Sequence, residues 1–72
     1  MNKKLLRSEM ILHDDTNVTL AGALGISPQS LSSKMNGTNG AEFTQGEIQK
    51  IRLRYKLSDN KVVKIFFNPV VS

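Results

Sequence analysis

The sequence predicts an all-α fold of five short helices in a single domain, and three observations predict it. Apolar residues recur at helical spacing along the whole chain, and no stretch alternates cleanly over six residues. Helix starts are marked by Thr16, Ser27-Pro28, Thr44 with Glu47, and Ser58. Helix stops are marked by Gly25, Asn36-Gly37 and Asn68-Pro69.

The first helix is expected from about Lys3 to His13. Leu6 and Met10 lie four apart, with Leu5 and Leu12 flanking the same side. Asp14 and Asp15 break the pattern, and His13 sits at the negative end of the helix dipole, where a cation is favoured. The second helix starts with Thr16 as N-cap, its hydroxyl accepting a backbone N–H of the first turn, and continues to Leu24. Leu20, Ala21 and Leu24 are its buried stripe. Gly25 ends it, because glycine enters the left-handed conformation without a Cβ clash.

The third helix has the clearest start. Proline has no N–H, so Pro28 fits the first helical position, and it pushes Ser27 toward the extended backbone that an N-cap needs. The helix runs to about Met35, with Leu31 and Met35 buried, and stops at Asn36-Gly37. GTNGAE reads as a loop. Thr44 and Glu47 then form a capping box, flanked by a Phe43–Ile48 staple, and open a fourth helix that buries Ile48, Ile51 and Tyr55. Ser58 caps a fifth helix, in which Val62, Val63, Ile65, Phe66 and Phe67 form the largest apolar block. A short extended tail, residues 68–72, is expected to follow, with Val70 and Val71 as an exposed dimer or partner contact or as a frayed end.

Size and composition exclude much. A chain of 72 residues makes one domain, and such a domain buries only roughly 60% of its unfolded surface. There is no room for a cleft between two lobes. Without cysteine there is neither a disulfide framework nor a thiolate metal site, which fits a reducing cytosol. No apolar run approaches the ~20 residues of a membrane span. MNKKLLRSEM begins like a signal peptide, but Arg7, Ser8 and Glu9 interrupt its apolar core, so a cytoplasmic protein is expected.

Ten basic residues face six acidic ones. In residues 1–33, Lys3, Lys4 and Arg7 are cancelled by Glu9, Asp14 and Asp15, so the whole excess falls in residues 34–72, with seven basic groups against three acidic. Such a surplus suits a polyanionic partner, and equally a domain that merely keeps its charge away from zero.

Two short helices separated only by Gly25-Ile26-Ser27 must cross steeply, as helix-turn-helix units do. Ala21 is small where they approach, Ile26 plugs the angle, and Leu31 packs back into it. The order L-A-x-x-L-G-I-S-x-x-x-L-S-x-K-M-N-G resembles the helix-turn-helix of the lambda-repressor-like family of phage repressors and Cro proteins. KMNG, FTQGEI and KIFF further resemble small Cro-like proteins of temperate phages of Gram-positive bacteria. That group includes modulator-of-repression proteins, anti-repressors that complex with the phage repressor. The resemblance implies a lambda-repressor-like DNA-binding domain, built on a helix-turn-helix of the second and third helices. It implies a regulator of the lysis–lysogeny switch with a phage repressor as partner. One departure matters: three residues after Leu31 the family carries an apolar residue, and here stands Lys34. Met35 takes over the packing, which leaves open which residues of the third helix face bases.

In such a unit the N-terminal part of the second helix of the motif meets base edges in the major groove. The candidates are Pro28, Gln29, Ser30, Ser32 and Ser33. Gln29 is the best reader, since its amide can pair with adenine N6 and N7, whereas serine reads ambiguously and Pro28 offers only apolar contact. Phosphate contacts are expected from Asn17 at the start of the second helix, and from Lys34, Asn36, Thr38 and Asn39 around and beyond the end of the third. Lys50 and Arg54 share a face of the fourth helix. One lysine and no arginine on the reading surface is thin, because phosphate neutralisation supplies most affinity. A second copy or another protein is therefore expected to add contacts. The two resulting readings are a regulator complexed with a repressor, acting on DNA or not, and a stand-alone dimeric sequence-specific repressor. Glu9, Asp14, Asp15 and Glu42 are candidate partners for a repressor's basic surface, or simply solvated charges.

An enzyme is not expected, and neither is a metal, a cofactor or a small-molecule substrate. His13-Asp14-Asp15 is the one metal-like cluster, and three adjacent residues at a helix end rarely converge on an ion. Ser58-x-x-Lys61 matches a serine–lysine pattern but reads as a helix cap, and NGTNG lacks the GK of a phosphate loop.

Overall fold

The structure is a computed structural model that describes residues 1–67. The expected stop at Asn68-Pro69, the tail and the contact at Val70 and Val71 lie outside the described residues. The chain forms α1 (Lys3–Leu12), α2 (Asn17–Leu24), α3 (Pro28–Asn36), α4 (Gln45–Tyr55) and α5 (Asp59–Val62). A 3-10 turn, Thr38–Gly40, lies in the α3–α4 connection, and α5 runs directly into a π-helical turn, Val63–Phe67. No strand occurs among the described residues, so the fold is all-α with five helices.

The local chemistry that starts and stops these helices is largely what the residues dictate. Thr16 caps α2 reciprocally with Thr19, each side chain accepting the other's backbone N–H. Ser27 Oγ accepts the Ser30 N–H at 3.1 Å, with Pro28 at the first helical position. Thr44 and Glu47 form the expected capping box at the start of α4. Ser58 accepts from the Lys61 N–H. Gly25 (φ 75°) and Gly37 (φ 68°) end α2 and α3 in the left-handed region, where a Cβ would be strained. Two devices carry no such obvious signal. Asn2 caps α1 by accepting the Leu5 N–H, and Lys56, at φ 53°, ends α4 without a glycine.

The core gathers Leu6, Met10, Leu20, Ala21, Leu24, Leu31, Met35, Ile51, Tyr55, Leu57 and Ile65. α2 packs against both α3 and α4, and Ala21 is fully buried where α2 approaches its neighbours. Ile26 is half-buried against the core, and its N–H bonds the Ala21 carbonyl at 3.0 Å, which closes the α2–α3 turn. Met35 is buried, as expected of the residue that replaces Lys34 in packing. The start of α1 is tied to the π turn by the Asn2 N–H, which bonds the Ile65 carbonyl at 2.6 Å.

Three expectations about burial are corrected. Leu12 is 73% exposed, because six residues past Leu6 it has rotated about 240° to the far side of α1. Glu9 takes a place on the inner face instead. Ile48 is only half-buried. The apolar block after Ser58 is not one continuous buried helix. Five apolar residues within six cannot share one face, so Ile65 points inward while Val63 and Phe67 remain 52% and 57% exposed. Leu57, between Lys56 and Ser58, is also buried.

Candidate nucleic-acid interface

The exposed side of α3 is set by its buried side. Leu31 and Met35 face inward, so Pro28, Gln29 and Ser30 stand exposed at its N-terminal end, while Ser32, Ser33 and Lys34 are half-buried along its flanks. Asn36 and Thr38 are exposed where the chain leaves the helix, as is Asn39, whose φ of 54° bends that turn. Gln29, Ser30, Ser33 and Lys34 share one shallow hollow with Ser27 and Ala41. Asn17 is joined to α3 directly, its Nδ2 donating to Ser32 Oγ at 3.2 Å across the α2–α3 junction. Ser30 Oγ accepts from Ser27 Oγ at 3.0 Å, so its hydroxyl belongs to the cap. Gln29 has no hydrogen-bond partner among the described residues, and its amide is free at both ends.

Lys34 is placed differently from its expected role. Its ammonium donates to Glu47 Oε1 at 2.8 Å and to the Glu42 carbonyl at 3.2 Å, and its side chain is only 18% exposed. It spans from α3 to the start of α4 rather than into solvent. Burial pushes the Glu47 carboxyl upward, but the hydrogen bonds from Lys34 and from the Thr44 N–H outweigh that and hold it below its ordinary value. The only cation of α3 is thus neutralised within the fold.

Arg54 is taken up in a similar way. Its Nε and Nη2 grip Asp15 at 2.7 and 2.8 Å in a two-point pair. Asp15 also accepts from Tyr55 Oη and from Thr19 Oγ1, both at 2.5 Å, and its side chain is 4% exposed. The Arg54 hydrogen bonds hold its carboxyl well below the usual range, despite a burial that works the other way. Burial, and then the bond to Asp15, push the Tyr55 phenol up. His13 stacks on the Tyr55 ring at 4.7 Å between centroids. Of the acids considered for a repressor's surface, Asp15 and Glu9 are therefore internal, Glu9 being paired with Lys61 at 2.7 Å. Asp14 and Glu42 stay exposed, with no ion pair among the described residues.

These pairings redistribute the charge. Arg54 and Lys61 come from the basic second half, yet they neutralise acids of the first half. Lys3, Lys4 and Arg7 on α1 are consequently left without an acidic partner among the described residues, as are Lys50, Lys56 and Lys64. Reading the sequence by halves concealed this, since the cancelling partners lie 39 and 52 residues apart. It also missed Lys3, whose Nζ donates to Asn36 Oδ1 at 2.9 Å from 33 positions away. No local spacing signals such a contact.

Among the described residues no group of three or more His, Cys, Asp or Glu is placed to hold a metal, and no helix is long and apolar enough to cross a membrane. Comparison of the chain with protein-family models, with curated proteins and with solved structures finds no match in any of the three.

Proposed function

We propose that this chain regulates phage transcription, acting from the cytoplasm of the bacterial host through α3 in the DNA major groove, through a complex with the phage repressor, or through both. One observation carries the reading. α2 and α3 are joined by three residues closed with a left-handed glycine, and the N-terminal end of α3 stands clear of the core with Pro28, Gln29 and Ser30 exposed. This is the arrangement a helix-turn-helix of the lambda-repressor-like kind uses to offer side chains to base edges. The sequence resemblance to Cro-like and modulator-of-repression proteins supports the biological setting.

The sequence resemblance favours the repressor complex as the distinguishing activity over a stand-alone dimeric repressor, while the charge of α3 argues for an added partner in either case. With Lys34 bound to Glu47, α3 presents no free cation, so the reading helix itself contributes little phosphate neutralisation. A second copy or a repressor must add the missing contacts. Fluorescence anisotropy of a labelled operator-containing duplex, titrated at low and at physiological salt with and without repressor, tests this. The expected result is weak, strongly salt-dependent binding alone and altered repressor–operator binding when the chain is added. Binding as tight alone as with repressor supports the stand-alone dimer. No effect on either binding event refutes the proposal.

A further inference from the structure

We propose that Lys3 and Asn36 form a joint phosphate-binding pair at the C-terminal edge of α3, which supplies the positive charge that α3 itself lacks; this rests on the DNA-binding reading above. Lys3 belongs to α1, yet its Nζ reaches Asn36 Oδ1 at 2.9 Å. An ammonium has three donors and no acceptor, so only the oxygen of the amide can face it. Asn36 Nδ2 is thereby turned away, and it has no partner among the described residues. The contact partner of Lys3 is a neutral amide, and it has no acidic partner among the described residues, in contrast to Lys34, whose charge meets the Glu47 carboxylate. Both Lys3 and Asn36 are exposed.

The pair is held in place from behind. Asn2 caps α1 through the Leu5 N–H, its own N–H bonds the Ile65 carbonyl at 2.6 Å, and Leu6 is fully buried. Asn36 closes α3 immediately before the left-handed Gly37. One ammonium and one outward amide NH₂ thus stand side by side on fixed helix ends. That donor set suits a phosphate oxygen of a DNA strand passing the end of α3. Because it reads no base edge, it adds affinity without sequence preference.

The test is the salt dependence of binding to a labelled mixed-sequence duplex by the full chain, compared with Lys3→Gln and Lys3→Arg. One phosphate contact contributes about 0.9 to the slope of log affinity against log salt. Lys3→Gln is expected to lower the slope by about that amount, so that the affinity lost between 50 and 200 mM salt shrinks by about 3.5-fold. Lys3→Arg should keep the slope, and all three chains should share the same helical circular dichroism. An unchanged slope in Lys3→Gln, with the parent binding normally, overturns the assignment of Lys3 and leaves the DNA reading standing. A parent chain that shows no salt-dependent binding overturns the DNA reading itself, and this inference with it.

Discussion

Two carboxylates do similar jobs in this fold and leave opposite consequences. Asp15 gathers Arg54, Tyr55 and Thr19 and fastens the α1–α2 connection and α2 to the end of α4. Glu47 gathers Lys34 and the Thr44 N–H and fastens α3 to the start of α4. The first has no partner on α3 among its hydrogen bonds to described residues. The second sits beside them and consumes the charge that a DNA-reading helix would otherwise present. In both, an internal ion pair fixes the relative placement of helices. Only at Glu47 does that rigidity compete with the proposed function.

The largest expected effect comes from beneath the α3 face. Leu31 is fully buried, and Leu31→Ala should cost about 2–5 kcal/mol, enough to unfold much of a domain this small, as urea denaturation would report. A smaller loss would mean that α3 is held chiefly by its ion pair.

Next is the Asp15 hub. Asp15→Ala leaves Arg54 unpaired and the buried Tyr55 hydroxyl without its acceptor, an expected loss of about 2–3 kcal/mol. The folded-state pKa of Asp15 lies below its ordinary value of about 3.9. Above pH of about 4 the carboxylate is ionised whether the chain is folded or not, and its contribution is complete. As pH falls below that, the unfolded chain takes up the proton first, and the contribution is lost toward the lower folded-state pKa. Stability of the parent should therefore fall on acidification below pH of about 4, and the fall should be shallower in Asp15→Ala. Parallel acid limbs would remove Asp15 as the source.

Glu47→Gln separates rigidity from charge. Glutamine can still serve the capping box, so the expected stability loss is about 1 kcal/mol. Lys34 is released, and under the DNA reading the salt slope on a mixed-sequence duplex should steepen by about 0.9. A slope that does not move would place Lys34 off the DNA path. Gln29→Ala should change stability by less than about 0.5 kcal/mol, since Gln29 is exposed and has no hydrogen-bond partner among the described residues. It should relax base preference by about 1–3 kcal/mol while leaving random-duplex binding nearly intact. Equal losses on specific and random duplexes would refute its reading role.

What could be read from the residues alone was mostly what short-range chemistry decides. The caps at Thr16, Ser27, Thr44 and Ser58, the stops at Gly25 and Gly37, and the inward Leu20, Ala21, Leu24, Leu31 and Met35 all depend on neighbours within about four positions. Those same rules were enough to expose Pro28 and Gln29. They failed at Leu12, where a helix face was drawn too wide, and after Val62, where a run of apolar residues was longer than one face can bury.

The electrostatics of the candidate interface belong to the tertiary structure. Whether Lys34 greets a phosphate or a carboxylate depends on where α4 starts in space, and Glu47 is 13 residues away. Whether α1 carries free charge depends on Arg54 and Lys61 crossing the molecule to Asp15 and Glu9. The sequence by itself determined which backbone segments coil and which side of α3 turns outward, because hydrogen-bonding caps and helical periodicity are local. Which cations remain free beside that helix was decided only by the packing of the helices, because charges pair across space with whatever the fold brings within reach.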